Sequence, residues 1–183
     1  MNTQNFEIES ARSNIDWVGR KVTGAHNGTI AVREGVLTFN NEELTGGRFA
    51  IDTRSIKILD VTDLDTNAQF ASHLASADFF NSEQYPEATF EITQAEPRGN
   101  GSYHTNGVLT IKAIARSISF DVQIKRNDNR VTASGKITID RTRFDMKFRS
   151  GNFFKDLGDT LIYNHFDLDI NITAVAVERW VAL

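Results

Sequence analysis

Much of this chain alternates apolar and polar residues one for one, and that period restricts its fold more than any other feature. Ile118, Phe120, Val122 and Ile124 interleave with Ser117, Ser119, Asp121, Gln123 and Lys125. Phe166, Leu168, Ile170, Ile172 and Ala174 interleave likewise with Asp167, Asp169, Asn171 and Thr173. Shorter runs carry Phe90 and Ile92, then Ile137 and Ile139. Successive strand residues point to opposite faces, so each run has one dry face and one wet face. That is the signature of antiparallel sheet, because parallel strands buried on both sides read as continuous apolar stretches.

Residues that accept positive φ separate the runs. Arg33-Glu34-Gly35, Asn40-Asn41, Gly46-Gly47, Arg98-Gly99-Asn100-Gly101 and Asn127-Asp128-Asn129 are all expected to reverse the chain. The spacing predicts an all-β meander of about eight strands, over 5–10, 13–22, 28–39, 45–53, 87–96, 102–112, 116–126 with its partner 130–140, and 160–176. Between Val61 and Ala77 the alternation stops. Leu64, Ala68, Ala71 and Ala75 fall at helical spacing, as do Phe70, Leu74 and Ala77. One short helix is expected there, capped by the run Asp60-Val61-Thr62-Asp63 and lying across an end of the sheet, with Phe70 and Leu74 packed as core. Tyr85-Pro86 then starts the next strand. Such a sheet hides its edges either by closing into a barrel or by stacking as a sandwich, and periodicity leaves the two equal. No repeat or linker divides residues 1–183, so one domain is expected.

A formal charge of −4 argues against a nucleic-acid partner, which would call for a basic face. With no cysteine, thiolate chemistry and Cys-based metal sites are excluded. The first residues lack both the basic and the apolar part of a secretory signal, so a cytoplasmic location is expected. No stretch approaches the roughly 18 apolar residues of a membrane span. A homodimer is compatible with all of this.

The chain offers little catalytic chemistry. His26, His73, His104 and His165 are scattered without metal-ligand spacing, and neither a GxSxG elbow nor a phosphate-binding glycine loop is present. Asp63-Leu64-Asp65-Thr66-Asn67 opens like a calcium loop, but Ala68 stands where glycine is needed and Leu74 where the bidentate glutamate belongs. Asp167 and Asp169 share a strand face with Asn171 and Thr173, which reads as wet exterior rather than as an acid–base pair. No catalytic residue, metal or cofactor is therefore expected. The aromatics are another matter: thirteen are Phe, against three Tyr and two Trp. Phe supplies large apolar area without a polar tip, and it suits a greasy pocket and a plain core equally.

The stretch His73-Leu74-Ala75-Ser76-Ala77-Asp78-Phe79-Phe80, followed by Tyr85-Pro86-Glu87-Ala88-Thr89-Phe90, resembles the signature of the YceI-like family of polyisoprenoid-binding, lipocalin-like proteins. Matching pieces keep the family's order: Trp17 to His26, Gly35-Val36-Leu37, Gly47 to Asp52, Gly107 to Lys112, and Asp140 to Phe144. The resemblance runs from about Phe6 to Ala174. It implies a single eight-stranded antiparallel lipocalin-like barrel with one short helix near an end, and an elongated cavity for an isoprenoid chain such as a polyprenyl phosphate or a quinone tail. The sequence departs from the family at Ala113-Ile114-Ala115-Arg116, where relatives usually carry a glycine in the turn.

On this reading, burial drives binding. Each CH₂ removed from water contributes about 0.8 kcal/mol. The candidate walls are Trp17, Phe49, Ile51, Phe79, Phe90, Ile92, Phe120, Phe144, Phe148 and Phe154. Arg141 and Arg143, with Lys147 and Arg149 nearby, are candidates for meeting a polar head group at the mouth. Two other functions compete with a lipid carrier. An enzyme on a small apolar substrate requires a His or Asp at the cavity, and an interaction module requires a filled barrel.

Overall fold

The computed structural model describes residues 2–177; Met1 and residues 178–183 of the expected domain lie outside the described residues. Nine strands form one antiparallel sheet: β1 (Thr3–Ile8), β2 (Asn14–Lys21), β3 (Gly24–Asn40), β4 (Glu43–Ile58), β5 (Glu87–Gly99), β6 (Ser102–Ile111), β7 (Ile114–Asn127), β8 (Arg130–Asp140) and β9 (Ile162–Ala176). From β2 to β9 each strand pairs with its successor, and β9 pairs back onto β2, which closes the barrel.

The closure has eight staves because one stave is made of two strands. β2 lies between the first half of β3 and β9, with Trp17 opposite both Gly28 and Leu168. β1 takes over further along, with Phe6 opposite Leu37 of β3 and Ala176 of β9. A 3-10 turn at Ser10–Arg12 joins the two. Every strand has a neighbour on both sides, which largely answers the edge problem of an all-β chain, although β7 and β8 pair only over Val122–Asn127 and Arg130–Gly135.

The two ends differ. At one end the connections are tight pairs: Asn41-Glu42 (φ 48° and 73°), Asn100-Gly101 (φ 55° and 78°) and Asp128-Asn129. Positive φ at both central residues, as in the first two, is the type I′ geometry that matches strand twist, while in the third Asp128 alone has it (φ 51°). At the other end sit the two long connections. One holds α1 (Leu64–Ala75) and the other runs from Arg141 to Leu161. The short β6–β7 turn there is Lys112-Ala113 at φ 53° and 61°. The missing family glycine therefore leaves the turn geometry intact, with Ala113 in the left-handed region at a cost of roughly 1–2 kcal/mol.

Two expected reversals are not reversals. Arg33-Glu34-Gly35 lies inside β3, where the register to β4 shifts between Val32 and Glu34, and Gly46-Gly47 lies inside β4. Gly35 and Gly47 answer crowding instead. A Cβ on Gly35 would stand 2.8 Å from Arg48 O and 2.9 Å from the Phe49 ring.

The tight-turn end is plugged by the protein's own side chains. Phe6 and Phe39 are fully buried, with their rings edge to face at 5.3 Å, and the Arg126 guanidinium lies 5.1 Å and 5.4 Å from the two ring centres. Beside them Leu44 N–H donates to Tyr103 Oη at 3.3 Å. Above this plug the interior is hollow.

Candidate functional site

The hollow is a cavity of about 640 Å³, in the middle of the range of ligand sites. Its walls come from inward positions of the staves, among them Trp17, Phe49, Ile51, Phe90, Ile92 and Phe120. Alternation made these positions legible, since period two assigns a face as soon as the strand is found. The rings do not fill the lumen, and glycine is the reason. Gly28 faces Trp17 across the ladder, and a Cβ there would fall 2.6 Å from the indole. At Gly107 it would fall 2.5 Å from the Phe90 ring. Each ring lies back over bare backbone, and Trp17 Nε1 donates to Thr29 O at 3.2 Å. The one hydroxyl in the deep wall is satisfied as well, Thr105 Oγ1 donating to Phe120 O at 2.7 Å.

The lid is built from both long connections. Asp63 caps α1 by accepting from Thr66 N at 2.9 Å, and Thr66 Oγ1 also donates to it; these bonds hold the Asp63 carboxyl below its ordinary value. Asn67 Nδ2 donates to Ile58 O and Val61 O, which ties the helix to the end of β4. The helix turns Phe70 and Leu74 inward, where they pack with the core as expected and also line the cavity. Next, Ser76 Oγ donates to His73 O, and Phe79 and Phe80 reach the cavity. His73 Nε2 lies 2.9 Å from Asp78 Oδ2, and its ring stands edge-on to Phe79 at 5.1 Å and to Phe148 at 4.6 Å. The histidine thereby joins the helical half of the lid to Phe148 of the other half. Lys112 makes a second joint, its Nζ donating to Ala77 O at 3.1 Å and Asp145 O at 2.9 Å.

The loop candidates divide. Phe79 and Phe148 line the cavity, but Phe144 is fully buried outside the lining and Phe154 is half exposed. Nothing periodic runs through 141–161, so no sequence rule assigned a direction to either ring. Arg143 does not line the cavity; its Nη2 donates to Ser117 O at 3.3 Å, on the neighbouring β7. Arg141 does line it, but as a buried strut and not as a solvated rim cation, with only 4 % exposure. Its guanidinium donates to Tyr163 O (3.0 Å), Met146 O (2.6 Å) and Ile162 O (3.0 Å), fastening the start of the connection to the start of β9. Burial lowers its pKa, partly opposed by Asp140.

Where the cavity opens, Arg149, already a candidate for meeting a head group, is joined by polar groups missed by the sequence reading: Arg20, Lys21, His26, Asp159 and His165. His26 is held by Asp60, Nδ1 to Oδ2 at 2.8 Å, and its ring stands edge-on to Phe70 at 4.9 Å. Partial burial raises the Asp60 pKa, yet the Asn27 N–H and His26 outweigh it and the net shift is downward. Asp167 is bound on the exterior by Arg20 Nη1 at 2.6 Å and by Thr138 Oγ1 at 2.9 Å, and its pKa is lowered chiefly by Arg20. No cluster that would hold a metal ion occurs among the described residues.

An eight-staved antiparallel barrel plugged at one end and enclosing one apolar cavity under a lid is a lipocalin-like barrel. The profile of the YceI-like domain matches residues 6–174, and the chain belongs to that family. A UPF0312 protein of Vibrio parahaemolyticus is 24 % identical over 140 residues, covering 73 % of this chain and 74 % of that protein. BcnA of Burkholderia cenocepacia superposes with a TM-score of 0.71 at 21 % identity, covering 92 % and 99 % of the two chains. A polyisoprenoid-binding domain from Saccharophagus degradans, implicated in plant cell wall breakdown, superposes at 0.63 with 14 % identity, covering 94 % and 98 %. At these identities the structural likeness carries the fold.

Proposed function

We propose that this protein binds and carries an isoprenoid-type lipid, a polyprenyl phosphate or the tail of a quinone, without transforming it. The observation that carries this reading is the cavity of about 640 Å³, walled mostly by apolar side chains between the plugged end and the lid, with polar groups gathered at the lidded end. The structural likeness to a polyisoprenoid-binding domain supports the choice of ligand class. At about 0.8 kcal/mol per CH₂, a five-carbon unit contributes roughly 4 kcal/mol, so about four units offset even the high estimate of association costs, near 15 kcal/mol. A head group then sits at the opening, beside Lys21, His26 and Arg149.

The test is organic extraction of freshly purified protein, followed by mass spectrometry. A prenyl-chain compound near one per barrel is the expected result; clean extracts from several independent preparations overturn the reading. An enzyme acting on a small apolar substrate keeps one observation in its favour. His26 lines the cavity with Nδ1 fixed on Asp60, an arrangement that leaves Nε2 available as a base. Replacement of His26 by Gln with unchanged lipid content and an unaltered extracted compound removes that reading.

A further inference from the structure

Among the described residues the large exposed apolar side chains are not spread over the surface. Val22, Leu59, Leu64, Phe153, Phe154 and Tyr163 all lie at the lidded end, and of these described residues Val177 alone lies at the plugged end. Single exposed apolar residues need no explanation, but a group gathered around one opening does.

One flank of the opening combines such residues with positive charge. The segment 147–155 holds Lys147, Arg149 and Lys155 with no acidic residue, and within it Phe153 and Phe154 are 50 % and 49 % exposed. Their backbone N–H groups both donate to Ser150 O, so the two rings are presented by one turn. Lys147 Nζ lies 4.8 Å from the Phe153 ring centre, and the Arg149 guanidinium 5.0 Å from that of Phe148. Lys21 and Val22 adjoin the same flank, since Val22 N–H donates to Leu161 O and Ile162 N–H to Arg149 O. Asp145, 3.4 Å from Lys147, offsets part of that charge, and Asp156 and Asp159 follow the segment. The opposite flank is acidic, with Asp63 and Asp65 on either side of Leu64.

The geometry points to a membrane-docking surface: segment 147–155 with the β2–β3 turn seats on an anionic phospholipid bilayer, Phe153 and Phe154 entering the interface and Arg149, Lys155 and Lys21 meeting the head groups. Aromatic rings beside cations are the composition of interfacial anchors. Continuity with the cavity gives the contact a purpose. The opening lies in the same face, so a chain passing between bilayer and barrel stays out of water. That purpose rests on the lipid-carrier reading; the surface itself does not.

Flotation with vesicles of phosphatidylcholine alone, and of phosphatidylcholine containing about one third phosphatidylglycerol, tests the proposal. The intact protein floats with the anionic vesicles at low salt and is released when salt screens the charge. Lys155→Gln weakens binding by about fivefold, the effect of one cation near such a surface. Phe153→Ser with Phe154→Ser weakens it by about tenfold or more, since each ring forfeits roughly half the transfer energy of a buried Phe. Both side chains are half exposed, so an unchanged melting temperature verifies folding. Extraction of lipid from the same samples separates this surface from the pocket: variants that lose vesicle binding keep their lipid. Absence of flotation at low salt, or equal flotation of the double variant, overturns the proposal. A protein dimer that the double variant dissociates overturns it too, by making a second copy the occupant.

Discussion

Gly107 shows how single residues keep this barrel hollow. Its missing Cβ is what lets the Phe90 ring lie against the wall; an added one would stand 2.5 Å from the ring and from Glu91 O. Gly107→Ala therefore forces the ring toward the lumen or the strands apart, an overpacking cost of about 1–3 kcal/mol. The expected result is a melting temperature lower by several degrees together with a reduced lipid content after purification. Gly19→Ala is the control, because nothing lies within 4 Å of its Cβ position, and it leaves both quantities unchanged. If Gly107→Ala holds full lipid, the glycine has no part in preserving the cavity. The sequence pointed to the wall aromatics through alternation, but a glycine inside a strand carries two meanings, reversal or close approach. At Gly35 and Gly47 the second was the true one, and only the register to the neighbouring strand distinguishes them.

At the scale of elements, α1 and strands such as β7, β8 and β9 were legible because one period runs through each, whereas β3 shifts register between Val32 and Glu34 and so read as a reversal there. The connection from Arg141 to Leu161 was not. Three of its bends fall at Asp145, Arg149 and Asp156, with φ of 59°, 49° and 56°, positions where no glycine advertises a turn. Whether Phe144 or Phe154 faces inward is decided there by contacts such as the Arg141 struts, which no local pattern encodes. The lid helix, in contrast, announces its own start. Hydrogen bonds from Thr66 lower the Asp63 pKa below that of the unfolded chain, so the unfolded state binds the proton more readily. The cap's contribution is thus complete above the unfolded value, near pH 4, and is lost as pH falls through the folded one. Asp63→Asn preserves a competent cap that does not titrate. Urea midpoints measured between about pH 5 and about pH 3 should fall less steeply for this variant than for the parent. Parallel curves would show that the cap plays no part in acid sensitivity.

For the molecule as a whole, the split stave and the cavity are two sides of one economy. β1 and β2 share a position, and this seals the circle while Phe6 closes only one end. The remaining void is expensive. At about 24 cal/mol per Å³, the figure for cavities left in protein cores, a volume of about 640 Å³ forgoes on the order of 15 kcal/mol of packing. That equals the upper end of the net stability of an entire domain. A barrel carrying such a void gains strongly from an occupant that supplies the missing contacts. Ligand at about a hundredfold excess over its Kd adds roughly 2.7 kcal/mol, which for a chain of this size raises the melting temperature by about 5–11 °C. Protein refolded from denaturant after solvent extraction should therefore melt lower than protein as purified, and added polyprenol in detergent should restore the difference. The plug, which needs no ligand, provides an internal reference. Amide exchange should rise on delipidation around the lid and the cavity-facing half of β9, and stay slow at Phe6 and Phe39, which do not line the cavity. Equal melting temperatures before and after extraction would mean that the void is empty in the working protein, and that its stability comes from the walls alone.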